Sequence, residues 1–176
     1  LSLTSLMIAK EFGYQRIITE QSPYNLLDRR IENELIPLSK KYGIGLITWA
    51  PMAMGVLAGR YKNVQKLPKD SRAKYRGGYY RERVSEAGIE VGKKFSLLAK
   101  QINLSAAQLA LLWAKDQPGV TAPLMGPRTI EQLKELLPVA EMSLDNETRN
   151  HCDELVPPGT AITDFHNTSG WMKMKI

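Results

Sequence analysis

Apolar residues recur along the chain at two spacings. Leu3, Leu6, Met7 and Ile8 fall on one face of a helix that Gly13 ends. Residues 16–21, with Ile17 and Ile18, read as a short buried strand stopped by Ser22 and Pro23. A helix follows over residues 31–42, restarted at Pro37, because proline suits a first helical turn, and closed by Gly43. Residues 44–49 are rich in the branched and aromatic side chains that fit a pleated surface, and predict the next strand.

Residues 50–81 hold glycines, prolines and basic residues without a period, which predicts a long functional loop. Helical spacing resumes over residues 84–101 and again after Ser105, an N-cap for a helix over residues 106–115. Asp116, Gln117, Pro118 and Gly119 break the chain before a third strand at residues 120–125. Thr129 with Gln132 is a capping-box pattern: the threonine accepts from the backbone N–H three residues on, and the glutamine reaches back. That helix runs to Leu136, and another spans residues 147–155 before a tail containing proline and glycine. Strands alternating with helices are the grammar of a parallel α/β sheet. Three strands are too few to close an eight-stranded barrel, and 176 residues fall short of the roughly 250 typical of that fold. The opening Leu in place of Met adds to the expectation of a partial chain.

Composition narrows the function classes. Hydrophobic residues at 43% and charged residues at 24% are those of an ordinary globular domain. No apolar run approaches the roughly 20 residues that span a bilayer, so no membrane insertion is expected. Cys152 stands alone, which excludes an internal disulfide and suits a reducing cytoplasm. A net charge of +6 favours an anionic partner without separating a dinucleotide from nucleic acid. Lys74, Tyr75, Arg76, Tyr79, Tyr80 and Arg81 interleave base-stacking rings with cations, a pattern single-stranded nucleic acid can use. Metal-ligand spacings, a nucleophile elbow and a P-loop are all missing from the sequence.

Three segments, each preceded by a strand, carry a more specific signal: EQSPYNLLDR from Glu20, TWAPMAMGVLAGRY from Thr48, and GPRTIEQL from Gly126. In this order they resemble the aldo-keto reductase family, in the branch with bacterial reductases and potassium-channel β subunits. The resemblance covers nearly all of the chain. It implies that residues 1–176 are the C-terminal half of one (β/α)8 TIM-barrel domain, strands six to eight with their helices, the N-terminal half being absent. Barrel enzymes build their sites at the C-terminal ends of such strands, often with phosphate sites after strands seven and eight.

The resemblance assigns NADP(H) as cofactor and gives several residues roles. Gln21 would bond the nicotinamide carboxamide, since its amide offers both a donor and an acceptor; a polar strand end is the plainer reading. Trp49 would stack on the nicotinamide ring, against the alternative of a core tryptophan. Ala50, Pro51, Met52 and Gly55 begin the segment that passes over the pyrophosphate, and Arg60 and Arg72 would contact phosphates. Ala50 stands where the motif often has serine, which removes a hydroxyl contact. Arg128, next to the N-terminus of its helix, would meet the 2′-phosphate that distinguishes NADP from NAD. Gln132 and Glu135 match adenosine-contact positions, whereas Leu136 departs from the usual asparagine. Pocket specificity would draw on Phe165 and Trp171.

The family's proton-donating tyrosine, with its aspartate, lysine and histidine partners, belongs to the half that precedes this segment, so no catalytic residue is assigned here. The seven tyrosines and two histidines present are not recruited as replacements. The implied activity of the full-length parent is NADPH-dependent reduction of aldehydes or ketones. Its implied partners are a small carbonyl substrate, the other half of the barrel and a second copy in a homo-oligomer, with no nucleic acid. The alternatives are a non-catalytic NADP-binding or redox-sensing subunit, or a structural half-barrel.

Overall fold

The computed structural model describes residues 3–166. Its sheet has three parallel strands in the order β1 (Thr19–Pro23), β2 (Gly45–Trp49), β3 (Ala122–Pro123). Parallel neighbours need crossover connections, and helices supply them. Helix α1 (Leu3–Glu11) precedes β1, and α2 (Leu35–Tyr42) joins β1 to β2. Between β2 and β3 lie the short helices α3 (Arg72–Tyr75) and α4 (Gly78–Glu82) and the longer α5 (Glu86–Gln101) and α6 (Ala106–Lys115). Helices α7 (Ile130–Leu136) and α8 (Asn146–Leu155) follow β3.

Several helix signals acted as read, although α2 starts at Leu35 rather than restarting at Pro37, and residues 30–32 form a separate 3-10 turn. Gly43 closes α2 in the left-handed conformation at φ 61°. Ser105 caps α6 and completes a capping box with Gln108. The threonine cap of α7 differs in one detail. Thr129 accepts from the Gln132 N–H at 3.3 Å, but the Gln132 oxygen reaches one residue further back, to the Arg128 N–H at 2.8 Å.

Two strands depart from expectation. β1 is buried only at its C-terminal end, Ser22 and Pro23, and is not centred on residues 16–21. Its pairing starts at Thr19 opposite Gly45 and runs through Pro23 opposite Trp49, and Ile18 is 66% exposed. The reason is position: Ile17 and Ile18 precede the paired residues, so Ile18 faces solvent while burial falls on the other end of the strand. β3 contracts to two residues, because the turn at Gln117–Val120 precedes it and Pro123 lacks the N–H a longer ladder needs. Flanking bonds from the Thr121 N–H to Leu46 O at 2.8 Å and from the Leu124 N–H to Thr48 O at 2.6 Å hold the tip of β3 beside β2.

The core lies between the sheet and helices α5, α6 and α8, around the fully buried Leu46, Phe95, Leu109, Trp113 and Cys152. Helix α5 packs closely against the chain leaving β2: a Cβ on Gly92 would stand 2.6 Å from the Val56 carbonyl oxygen. Glycine is required there for the loop to rest on the helix. Arg29, 3% exposed, fastens the segment after β1 to α8 through Glu32 (2.7 Å), Asp153 (2.6 Å) and the Val156 carbonyl (2.7 Å). Asp28, fully buried, pairs with Arg30 and accepts from the Phe165 N–H at 2.8 Å, which brings the C-terminal segment back to β1.

The expected apolar face of α1 is not segregated: its apolar side chains are spread around the helix. Leu3, Met7, Ile8 and Phe12 are 43–62% exposed, and only Ala9 of that helix is buried. No helix among the described residues is long and apolar enough to cross a membrane.

Candidate functional site

A cavity of about 830 Å3 opens at the C-terminal ends of β2 and β3. Trp49, last residue of β2 and half-buried, lines it together with Arg128 beyond β3. Thus two strand tips and the loops they launch face one groove. The volume is that of a site for a cofactor-sized ligand.

The chain leaves Trp49 through costly backbone. Ala50, Ala53 and Met54 adopt positive φ of 58°, 48° and 57°, before Gly55 at 97°. Left-handed conformations in residues with a side chain cost free energy and persist only where surroundings enforce them. Here the enforcement is visible: Ala53 is fully buried and Val56 nearly so, seated against Gly92 of α5. The loop therefore presents Ala50, Pro51, Met52 and Gly55 to the cavity as a fixed wall.

Two cations predicted from the sequence follow on this loop. Arg60 lines the cavity and pairs with Asp70 at 2.5 Å, while its Nε is buried without a partner. That guanidinium holds the Asp70 carboxyl below the usual carboxylate range, with Arg128 adding a weaker pull. Arg72 opens α3 behind the buried Ser71 cap and also lines the cavity.

On the far wall, Gln132, Glu135 and Leu136 join Arg128. The Ser105 hydroxyl donates to Glu135 at 2.5 Å, and Gln108 Nε2 donates to the Glu135 carbonyl at 2.9 Å. Helices α6 and α7 are thus tied at the cavity rim. The Arg128 and Gln132 N–H groups are satisfied by side chains, and the Arg128 guanidinium lines the cavity beside them. Leu136, 5% exposed, contributes an apolar surface where an asparagine would have offered hydrogen bonds.

Gln21 is not among the residues lining the cavity. It is exposed on β1, paired in register with Ile47. Phe165 is fully buried, its backbone held by Asp28 and its carbonyl by Arg83, and Trp171 lies outside the described residues. His166 approaches Asp28 at 3.9 Å, and burial lowers its pKa; His151 is exposed. Cys152 is buried, and desolvation pushes its thiol up to about 12, which makes it inert. Among the described residues, no cluster of His, Cys, Asp or Glu could hold a metal.

Sequence reasoning missed Arg83. This residue is 2% exposed and lines the cavity, with its guanidinium over Trp49 (5.5 Å), Tyr79 (4.9 Å) and Phe165 (5.2 Å). It donates to the Phe165 carbonyl at 2.9 Å. Nothing local marks it, because it follows a run of basic residues that reads as a solvated loop. Part of that run does fold inward. The Tyr79 and Tyr80 rings lie 4.2 Å apart, tilted by 31°, and both line the cavity; Tyr75 remains 83% exposed.

Comparison with known proteins identifies the family. The aldo/keto reductase family matches residues 2–157. An uncharacterized oxidoreductase of Bacillus subtilis, YrpG, is 33% identical over 152 residues, covering 86% of this chain and 44% of its own length. A probable voltage-gated potassium channel subunit beta of Oryza sativa is 36% identical over 122 residues, covering 67% of this chain and 37% of its own. The structure of the glycerol dehydrogenase AKR11B4 from Gluconobacter oxydans superposes with a TM-score of 0.71 at 24% identity, over 93% of this chain and 50% of that one. The chain therefore spans half or less of the length of these relatives. With the family match over most of its residues, the chain belongs to the aldo/keto reductase family.

Proposed function

We propose that this chain is the NADP(H)-binding, C-terminal half of a (β/α)8 carbonyl reductase. The observation that carries the proposal is one cavity lined at once by Trp49, Arg60, Arg72 and Arg128. An aromatic face beside a set of cations is the donor set a dinucleotide phosphate needs, and Arg60 holds a buried Nε without a protein partner.

In this reading Trp49 presents its ring to the nicotinamide, and Arg60 and Arg72 meet the pyrophosphate. Arg128 meets the 2′-phosphate, a planar guanidinium being suited to bidentate contact. Gln132 and Glu135 contact adenosine. Bound NADPH supplies hydride to a carbonyl carbon; the chain's own residues orient the cofactor and exclude water around it. The proton donor would belong to the preceding half of the barrel, and a second copy of the protein is a further proposed partner. Its lone buried cysteine suits a cytoplasmic protein.

The test is titration of NADPH and NADH with wild type and Arg128→Ala. Selective loss of NADPH affinity is expected, and unchanged discrimination overturns the 2′-phosphate role. A second reading, a non-catalytic NADP-binding subunit, draws on the relatives named as potassium channel subunits beta. NADPH binding without carbonyl-dependent oxidation by the full-length protein would favour it.

A further inference from the structure

Arg83 carries its charge in an unusual setting. A guanidinium buried to this degree is ordinarily matched by carboxylates, as Arg29 is by Glu32 and Asp153. Arg83 instead makes its direct contacts with neutral groups, three ring faces, the Phe165 carbonyl and the Met54 sulfur at 3.7 Å, while the Asp28 and Asp164 carboxylates act on it only through longer-range attraction. Its Nε is buried without a hydrogen-bond partner. Desolvation lowers its pKa, yet a guanidinium stays charged at any physiological pH. Cation–π attraction offsets part of the burial cost, and it also fixes the indole and the cation against each other. The C-terminal segment closes the arrangement, since Asp28 holds the Phe165 N–H while Arg83 holds the Phe165 carbonyl.

Resting on the proposed stacking role of Trp49, we infer that Arg83 is a positioning residue that biases the site toward reduced cofactor. It braces the indole and places a fixed positive charge beside it. Oxidised nicotinamide is a cationic ring and reduced nicotinamide is neutral, so a cation at Trp49 repels the first and leaves the second untouched. One unit charge acting on another across a partly buried ring changes affinity by about 3- to 10-fold. The consequence is a carbonyl-reducing preference built into the binding step, from a residue outside the phosphate-binding set.

The experiment measures dissociation constants for NADPH, NADP+ and adenosine 2′,5′-bisphosphate by tryptophan fluorescence and calorimetry. Wild type should bind NADPH more tightly than NADP+. Arg83→Met should cut that preference by about 3- to 10-fold, Arg83→Lys should retain most of it, and bisphosphate affinity should stay level in both. Equal affinity of wild type for the two redox forms overturns the inference, and this arm needs no variant to fold. An unchanged ratio in Arg83→Met also overturns it, as does a parallel fall of all three ligands, the mark of a structural role. Failure of wild type to bind the bisphosphate would instead remove the NADP reading on which the inference stands.

Discussion

Arg60 and Asp70 form an ion pair at 2.5 Å across the loop that walls the cavity, with the aspartate 72% exposed and the arginine 28%. In the proposed complex the Asp70 carboxylate competes with a phosphate for the same guanidinium. Asp70→Asn should therefore tighten NADPH binding by about 2- to 5-fold, the scale of one exposed ion pair, with little effect on thermal stability. Because Asp70 titrates below the usual carboxylate range, the pair persists into mildly acidic solution, and the gain should be the same at pH 6 and pH 8. Calorimetric titration at both pH values checks this. Weaker binding in the variant would mean that Asp70 orders the loop for the cofactor.

How much of this site was legible beforehand depended on whether a residue's role is local. Helix boundaries were readable, because Ser105, Thr129 and Gly43 act on backbone groups within a few residues. The cavity-lining residues of the loop after β2 and of α7 were readable from motifs, with Trp49 and Arg128 meeting across the groove as expected. What failed were roles set by distant packing. The apolar Ile17 and Ile18 predict a buried strand, yet they precede the paired residues, and burial falls on Ser22 and Pro23 at its other end. Arg83 escaped notice because its surroundings come from β2, α4 and the C-terminal segment, 34 to 82 residues away or close by without any recurring spacing.

Gly92 makes the link between core and site testable. Gly92→Ala places a Cβ 2.6 Å from the Val56 carbonyl oxygen, so helix and loop must separate. Overpacking of this kind costs about 1–3 kcal/mol, outweighing the roughly 1 kcal/mol that alanine gains over glycine inside a helix. The displaced wall should also weaken NADPH binding. Gly126→Ala is the comparison, because its added Cβ meets nothing within 4 Å and should leave stability unchanged. Denaturant unfolding of both variants decides: equal midpoints would show that α5 does not hold the loop.

Cys152 predicts an alkaline limb in stability. Its thiol rises from 9.0 to about 12 in the folded chain, chiefly by desolvation. Folding therefore retains a proton that the unfolded chain releases. The contribution is complete below about pH 9 and declines as pH climbs from there toward about 12. Between pH 8 and pH 10.5, wild type should lose melting temperature faster than Cys152→Ala. Thiol reagents should be slow on the native protein at pH 8. Parallel melting curves for the two proteins, or rapid labelling, would contradict the buried, protonated thiol.

The open apolar surface gives a prediction about the chain by itself. Leu3 and Met7 of α1 lie exposed, and so do Phe12, Tyr14 and Ile18 between that helix and β1. An unpaired strand edge beside exposed apolar side chains is a template for association. The 176-residue chain prepared alone should self-associate and bind a hydrophobic dye, and Phe12→Ser with Ile18→Lys should reduce both. These substitutions touch no cavity-lining residue, so adenosine 2′,5′-bisphosphate affinity should survive them. Addition of a separately produced N-terminal half-barrel should suppress self-association in wild type far more than in the double variant, because the half-barrel is proposed to cover the same face. Sedimentation velocity distinguishes the cases. A wild-type chain that sediments as a dye-silent monomer would show that this face needs no cover, and would count against the half-barrel reading.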